Sequence, residues 1–178
     1  NNITTDIIGN YYKFGLKDPV ANGNTSNTAI TNWNTTNSGA KNSWNSGTIN
    51  APSKTNNDPC DNGFRIPTKP EYDNLLAATM VNRAGTLASP NYSLVLTSKI
   101  NKNVRLTFPI AGFREIADGG LSARGSQAYY WTNHYYTTPP AQTRPIANFR
   151  ITNNESTTEY GAAIGNYGYG ELLKCVRQ

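Results

Sequence analysis

The chain has 178 residues, the usual span of one domain, and its 11 % aromatic content supplies enough bulky apolar surface to build a core and argues against disorder. Only 15 % of the residues are charged. Asn and Thr together make up roughly a quarter, so solubility rests on amides and hydroxyls. The net charge of +5 is spread singly, without a basic run, which argues against nucleic acid as a partner, and no apolar stretch is long enough to insert across a membrane.

Asn1 to Asp6 carry no signal-peptide hydrophobic region, as expected of a mature or excised piece. Residues 7–15 mix β-branched and aromatic side chains and predict an early strand with buried aromatics. From 22 to 57 the chain is dominated by Asn, Thr, Ser and Gly, which predicts a long loop. Trp33 and Trp44 are its only large apolar groups and its expected anchors, since one indole can bury about 150–250 Å².

Cys60 and Cys175 are the only two cysteines, and neither a zinc site nor a redox CxxC motif fits them. A structural disulfide in an oxidising compartment is the simpler reading, with two buried free thiols as the alternative. Thr68-Lys69-Pro70-Glu71 forms a capping box, and Tyr72, Leu75, Leu76, Thr79 and Met80 follow at helical spacing until Gly85. This predicts a helix over 69–82.

Beyond it, 93–97 and 104–114 alternate like strands, with Asp118-Gly119-Gly120 as turn chemistry. Tyr129-Tyr130-Trp131 follows, then a stretch interrupted at Pro139, Pro140 and Pro145, then strand-like 146–152 and 172–176. The expected class is α+β, in a single domain over 1–178.

Five phrases run in order: Tyr-Tyr-Lys-Phe-Gly-Leu-Lys-Asp-Pro at 11–19, Asp-Pro-Cys-Asp-Asn-Gly-Phe-Arg-Ile-Pro-Thr at 58–68, Phe-Pro-Ile-Ala-Gly-Phe-Arg at 108–114, Tyr-Trp-Thr at 130–132 and Lys-Cys-Val-Arg at 174–177. Together they resemble the Fibrobacter succinogenes major paralogous domain, a family of exported bacterial proteins abundant in Bacteroidetes and Fibrobacteres. The segment 63–72 is also similar to the signature of formylglycine-generating-enzyme-like domains. The resemblance implies a C-type-lectin-like fold with a small twisted antiparallel sheet, one or two helices and long loops, whose chain ends come together. That agrees with the pairing of Cys60 and Cys175. Two departures are Glu-Leu-Leu-Lys at 171–174 in place of an aromatic-Ser-Val run, and Trp-Thr-Asn at 131–133 in place of Trp-Ser-Ser.

Enzymatic readings fare poorly. His134 is the only histidine, so neither a Ser-His-Asp triad nor a multi-histidine metal site can be assembled. The formylglycine-generating activity needs reactive cysteines that this chain lacks. Glu115, Asp118, Glu155, Glu159 and Glu171 show no spacing that marks a glycosidase pair. The Glu-Pro-Asn or Gln-Pro-Asp calcium motif of sugar-binding C-type lectins is absent as well; no cofactor is expected, with an oxygen-ligand calcium site from scattered Asp and Asn left open.

What remains is a recognition composition in the last third. Asn133, His134, Tyr135, Tyr136, Arg144, Asn153, Asn154, Tyr160, Asn166, Tyr167 and Tyr169 are the candidate ligand-binding residues, and at least half of the nearby tyrosines are expected to pack inward. Tyr gives contact area at low entropy cost, and the Asn amide both donates and accepts. The expected function is a non-enzymatic, adhesin-like domain, secreted or displayed at the cell surface, that recognises glycan or protein as part of a larger lipoprotein or pilus-like protein. The Asn and Tyr content is similar to that of C-type-lectin-like proteins diversified by retroelements. A structural assembly subunit, making contacts through 22–57, is the alternative.

Overall fold

The computed structural model describes residues 7–135, 146–160 and 168–178. The described chain is α+β, mostly sheet with one helix. Six strands form the central sheet: β1 (Asn10–Tyr12), β2 (Ala21–Asn22), β9 (Gln127–Tyr135), β10 (Ile146–Thr152), β11 (Ser156–Tyr160) and β12 (Glu171–Leu172), in the order β11-β10-β9-β12-β1-β2. The neighbours are antiparallel except β12, which runs parallel to β9 with Leu172 opposite Tyr130.

The period-two alternation of β9 and β10 sorts their side chains between two faces. Tyr130 and Phe149 pair on one face, with Tyr11 and Leu172 alongside; Trp131 and Asn148 pair on the other. The first face is covered by regular structure. The helix α1 (Lys69–Ala78) lays Tyr72 on Phe149, with ring centroids 4.9 Å apart. The separate sheet of β4 (Thr79–Ala84), β5 (Ser93–Ser98) and β6 (Arg105–Pro109) adds Leu94, Leu96 and Phe108.

The second face is covered by the irregular chain between β1 and α1. Phe14, Trp44, Cys60 and Ile66 close over Trp131, and the two indoles donate to the carbonyls of Leu16 and Tyr12. Trp44 is fully buried and Trp33 partly so, with the Trp33 indole donating to the Ile116 carbonyl at 3.0 Å. The long loop is thus pinned by the two expected anchors. Gly15 (φ +76°) meets Gly39 so closely that a Cβ would lie 2.6 Å from the Gly39 Cα, which holds the loop against β1.

The capping box forms as expected, with reciprocal bonds between Thr68 and Glu71. The helix, however, ends at Ala78, four residues short of the sequence expectation, and Thr79 opens β4. Thr79 and Met80 fit helical spacing equally well; six pairings with β5, from Thr79 opposite Ser98 to Ala84 opposite Ser93, decide for the strand. Met80 is accordingly 39 % exposed.

The predicted strand over 104–114 is also broken. β6 stops at Pro109, and β7 (Phe113–Arg114) pairs instead with β8 (Leu121–Ser122) across the Asp118-Gly119-Gly120 turn. Likewise 172–176 is not one strand: Leu172 closes β12 in the central sheet, while β13 (Val176–Arg177) pairs with β3 (Phe64–Arg65). That pairing places Cys175 beside Cys60, and the disulfide closes between them.

Candidate functional site

The candidate residues fall at two ends of the central sheet. Tyr135 pairs with Ile146, and Ala147 pairs with Tyr160, so His134, Tyr135 and the backbone of Tyr160 share one end. Asn153 and Asn154 turn from β10 into β11 at the other end, next to the pairing of Thr152 with Gln127. Ile146 and Thr152 are six positions apart, which at about 3.3 Å per residue puts the two ends roughly 20 Å apart. The candidate residues are therefore divided between the two ends.

Three described candidates meet protein rather than solvent. Asn133 is 2 % exposed; its amide donates to the Ile66 carbonyl at 2.7 Å and its backbone N–H to the Pro67 carbonyl at 2.9 Å, so it locks β9 to the chain entering α1. This corrects the expectation that Asn133 faces a ligand: a buried amide is stable only when such partners satisfy it. Tyr169 is half-buried against Phe113, 5.7 Å between centroids, and Tyr129 packs on the same ring at 5.5 Å. Tyr135 is half-buried as well and lies under the Lys41 ammonium at 4.6 Å.

His134 is half-buried, and desolvation pushes its pKa below the ordinary imidazole value, which favours the neutral ring. Tyr136, Arg144, Asn166 and Tyr167 lie outside the described residues, as do the Pro139, Pro140 and Pro145 interruptions. Their attachment points are nevertheless defined. Segment 136–145 joins Tyr135 to Ile146 and so begins and ends where His134 and Tyr135 lie; segment 161–167 starts there too, at Tyr160, but rejoins the described chain at Gly168 on the Gln127 side, because β12 runs parallel to β9 with Leu172 opposite Tyr130.

No family model, curated protein or solved structure matches the chain.

The phrase at 58–72 makes a polar framework. Both carboxylate oxygens of Asp58 accept backbone N–H groups, from Cys60 at 2.9 Å and Ile66 at 3.0 Å. Lys54 bonds Asp58 and the carbonyls of Cys60, Asp61 and Phe64. The Arg65 guanidinium grips Glu71 through two bonds of 2.7 and 2.6 Å while Glu71 also accepts from Thr68, and the Arg65 and Thr68 contacts together hold its carboxyl below the ordinary value despite the opposing effect of burial. Each strong hydrogen-bonding group here already has a partner inside the fold.

Among the described residues no three His, Cys, Asp or Glu side chains cluster as metal ligands. Glu171, one of the carboxylates considered for hydrolysis, is fully buried, and its carboxylate accepts from the Asn148 amide at 3.4 and 3.5 Å. Burial pushes its carboxyl well above the usual carboxylate range, with Asn148 opposing. Sequence reasoning had no signal for this burial, which follows from the place of β12 between β9 and β1.

Proposed function

We propose that the chain is an exported, non-enzymatic recognition domain of the Fibrobacter succinogenes major paralogous type, C-type-lectin-like in architecture, that binds an extracellular glycan or protein through its C-terminal loops. The observation that carries this reading is the register of β9, β10 and β11. It brings Tyr135, Ile146 and Tyr160 side by side, so the segment bearing Tyr136 and Arg144 begins and ends at one end of the sheet, where the segment bearing Asn166 and Tyr167 also begins. Loops rich in Tyr, Asn and Arg on a packed scaffold are a common basis for recognition. The Cys60–Cys175 bridge fits an oxidising compartment, in keeping with export.

The test is a glycan and host-protein array probed with the isolated domain, in calcium and in chelator. The expected result is a saturable hit weakened about tenfold or more by Tyr167→Ala or Arg144→Ala, at unchanged melting temperature. An identified ligand bound equally well by both variants would remove this surface from consideration.

Assembly is a second reading, favoured by a different observation. β4 and β6 are open edges of their sheet and carry exposed Val81 and Leu106. Concentration-dependent oligomers in size-exclusion chromatography without ligand favour this reading.

A further inference from the structure

A cleft of about 420 Å³ opens between α1, β6 and the C-terminal segment. Tyr72 and Leu75 form one wall, Leu106 and Phe108 the second, and Lys174 with Val176 the third. Its volume and its nearly apolar lining fall in the range of small-molecule sites, where a few polar groups set the orientation of an apolar ligand. The cleft is built into the framework, because Phe108 and Tyr72 belong to the main core and Val176 is held by pairing with Arg65.

Lys174 is the one cation on this wall. Its ammonium sits 5.7 Å from the centre of the Phe108 ring, and no carboxylate lies within ion-pair distance of it among the described residues. The only acidic group lining the cleft, Glu71, is already held by Arg65 and Thr68. An ammonium drawn out of water without a counter-ion is costly, and desolvation lowers its pKa. The arrangement is completed by an anion whose remainder is apolar.

We propose that this cleft binds a small apolar carboxylate, an aliphatic or aromatic acid, with its body against Leu75, Leu106 and Phe108 and its carboxylate on the Lys174 ammonium. Charge complementarity selects the acid over the corresponding alcohol or amine. The site shares no residue with the loop end, so it stands or falls separately from the glycan or protein reading.

Decanoate, kept below its micellar concentration, serves as the probe in calorimetric titration, with decanol and decylamine as controls. Saturable one-site binding is expected for decanoate. Lys174→Met, which keeps the stem and removes the charge, weakens it by about tenfold to a hundredfold, the usual loss for a hydrogen bond to a charged group. Lys174→Arg retains binding within a few-fold, and Leu106→Trp, filling the cleft from an edge strand, blocks acid and alcohol alike. Raising the pH through the Lys174 titration releases decanoate and leaves decanol unaffected. Circular dichroism melts confirm that each variant is folded before titration. The proposal is overturned if decanoate shows no saturation, if Lys174→Met binds it as tightly as the parent, or if decanol binds the parent as well as decanoate does.

Discussion

The two faces of the central sheet are covered in different ways, and the difference explains where the polar residues went. On the Tyr130 face the cover is a helix and a three-stranded sheet, whose backbones satisfy themselves, so the side chains there are almost wholly apolar. Two of its tyrosines donate to carbonyls, Tyr11 to Ala111 at 2.6 Å and Tyr130 to Pro109 at 2.7 Å, with the Tyr11 hydroxyl also accepting from Arg124, while the buried Tyr72 hydroxyl has no hydrogen-bond partner among the described residues. On the Trp131 face the cover is irregular chain, and its backbone groups must be met by side chains. Asn45, for example, accepts from the N–H groups of Gly47 and Ser53, and Asp58 accepts from those of Cys60 and Ile66. Lys13, Asn45, Asp58 and Asn133 are all buried for this reason.

The comparison breaks most visibly at its two aromatic keystones. Trp44→Ala and Phe108→Ala should each cost about 3–5 kcal/mol by denaturant unfolding. They should differ under brief trypsin treatment. Trp44→Ala releases the loop and exposes Lys41 and Lys54 to cleavage, whereas Phe108→Ala leaves the loop pinned. Identical digestion patterns would mean that the loop is not held by its indole.

A smaller contrast concerns hydrogen bonds. Asp58→Asn turns one acceptor into a donor facing a buried N–H and should cost about 1–3 kcal/mol, against about 1 kcal/mol for Tyr11→Phe on the regular face. Equal losses in urea melts would show that the irregular cover depends on its side chains no more than the regular one does.

The smallest expected effect is at Glu171, buried on the irregular face. Its folded pKa lies above its unfolded one, so the native state binds this proton more tightly. The associated stability is present below the ordinary carboxylate range and is lost as pH rises from there toward the folded value. Glu171→Gln should therefore raise the melting temperature by a few degrees at neutral pH, with the gain vanishing near about pH 4. A constant difference across that range would assign the effect to packing instead of ionisation.

Much of the fold was legible because the deciding interactions are local. The Thr68 capping box, the Asp118-Gly119-Gly120 turn and the strand at Ile146–Thr152 involve residues a few positions apart, and all three stand where the pattern put them. The helix end was not legible, since Thr79 and Met80 satisfy both periods and only β5, more than ten residues on, chooses between them. The candidate site was legible in composition and not in position. Asn133 and Asn153 are the same residue type in the same tyrosine- and asparagine-rich third of the chain, yet one is a buried tie to Ile66 and the other an exposed turn at the opposite end of the sheet.

By itself, then, the sequence determined the α+β class, the anchoring of the long loop by Trp33 and Trp44 and a preference for pairing the two cysteines, because residue type and near-neighbour spacing are enough for each. Tertiary structure alone decided which face each strand residue meets, the division of the candidate residues between two sheet ends, the burial of Glu171 and the meeting of Lys174 with the apolar cleft. Those outcomes depend on strand register and on contacts between distant segments, and a shift of a single residue in register would turn every side chain of a strand to the other face.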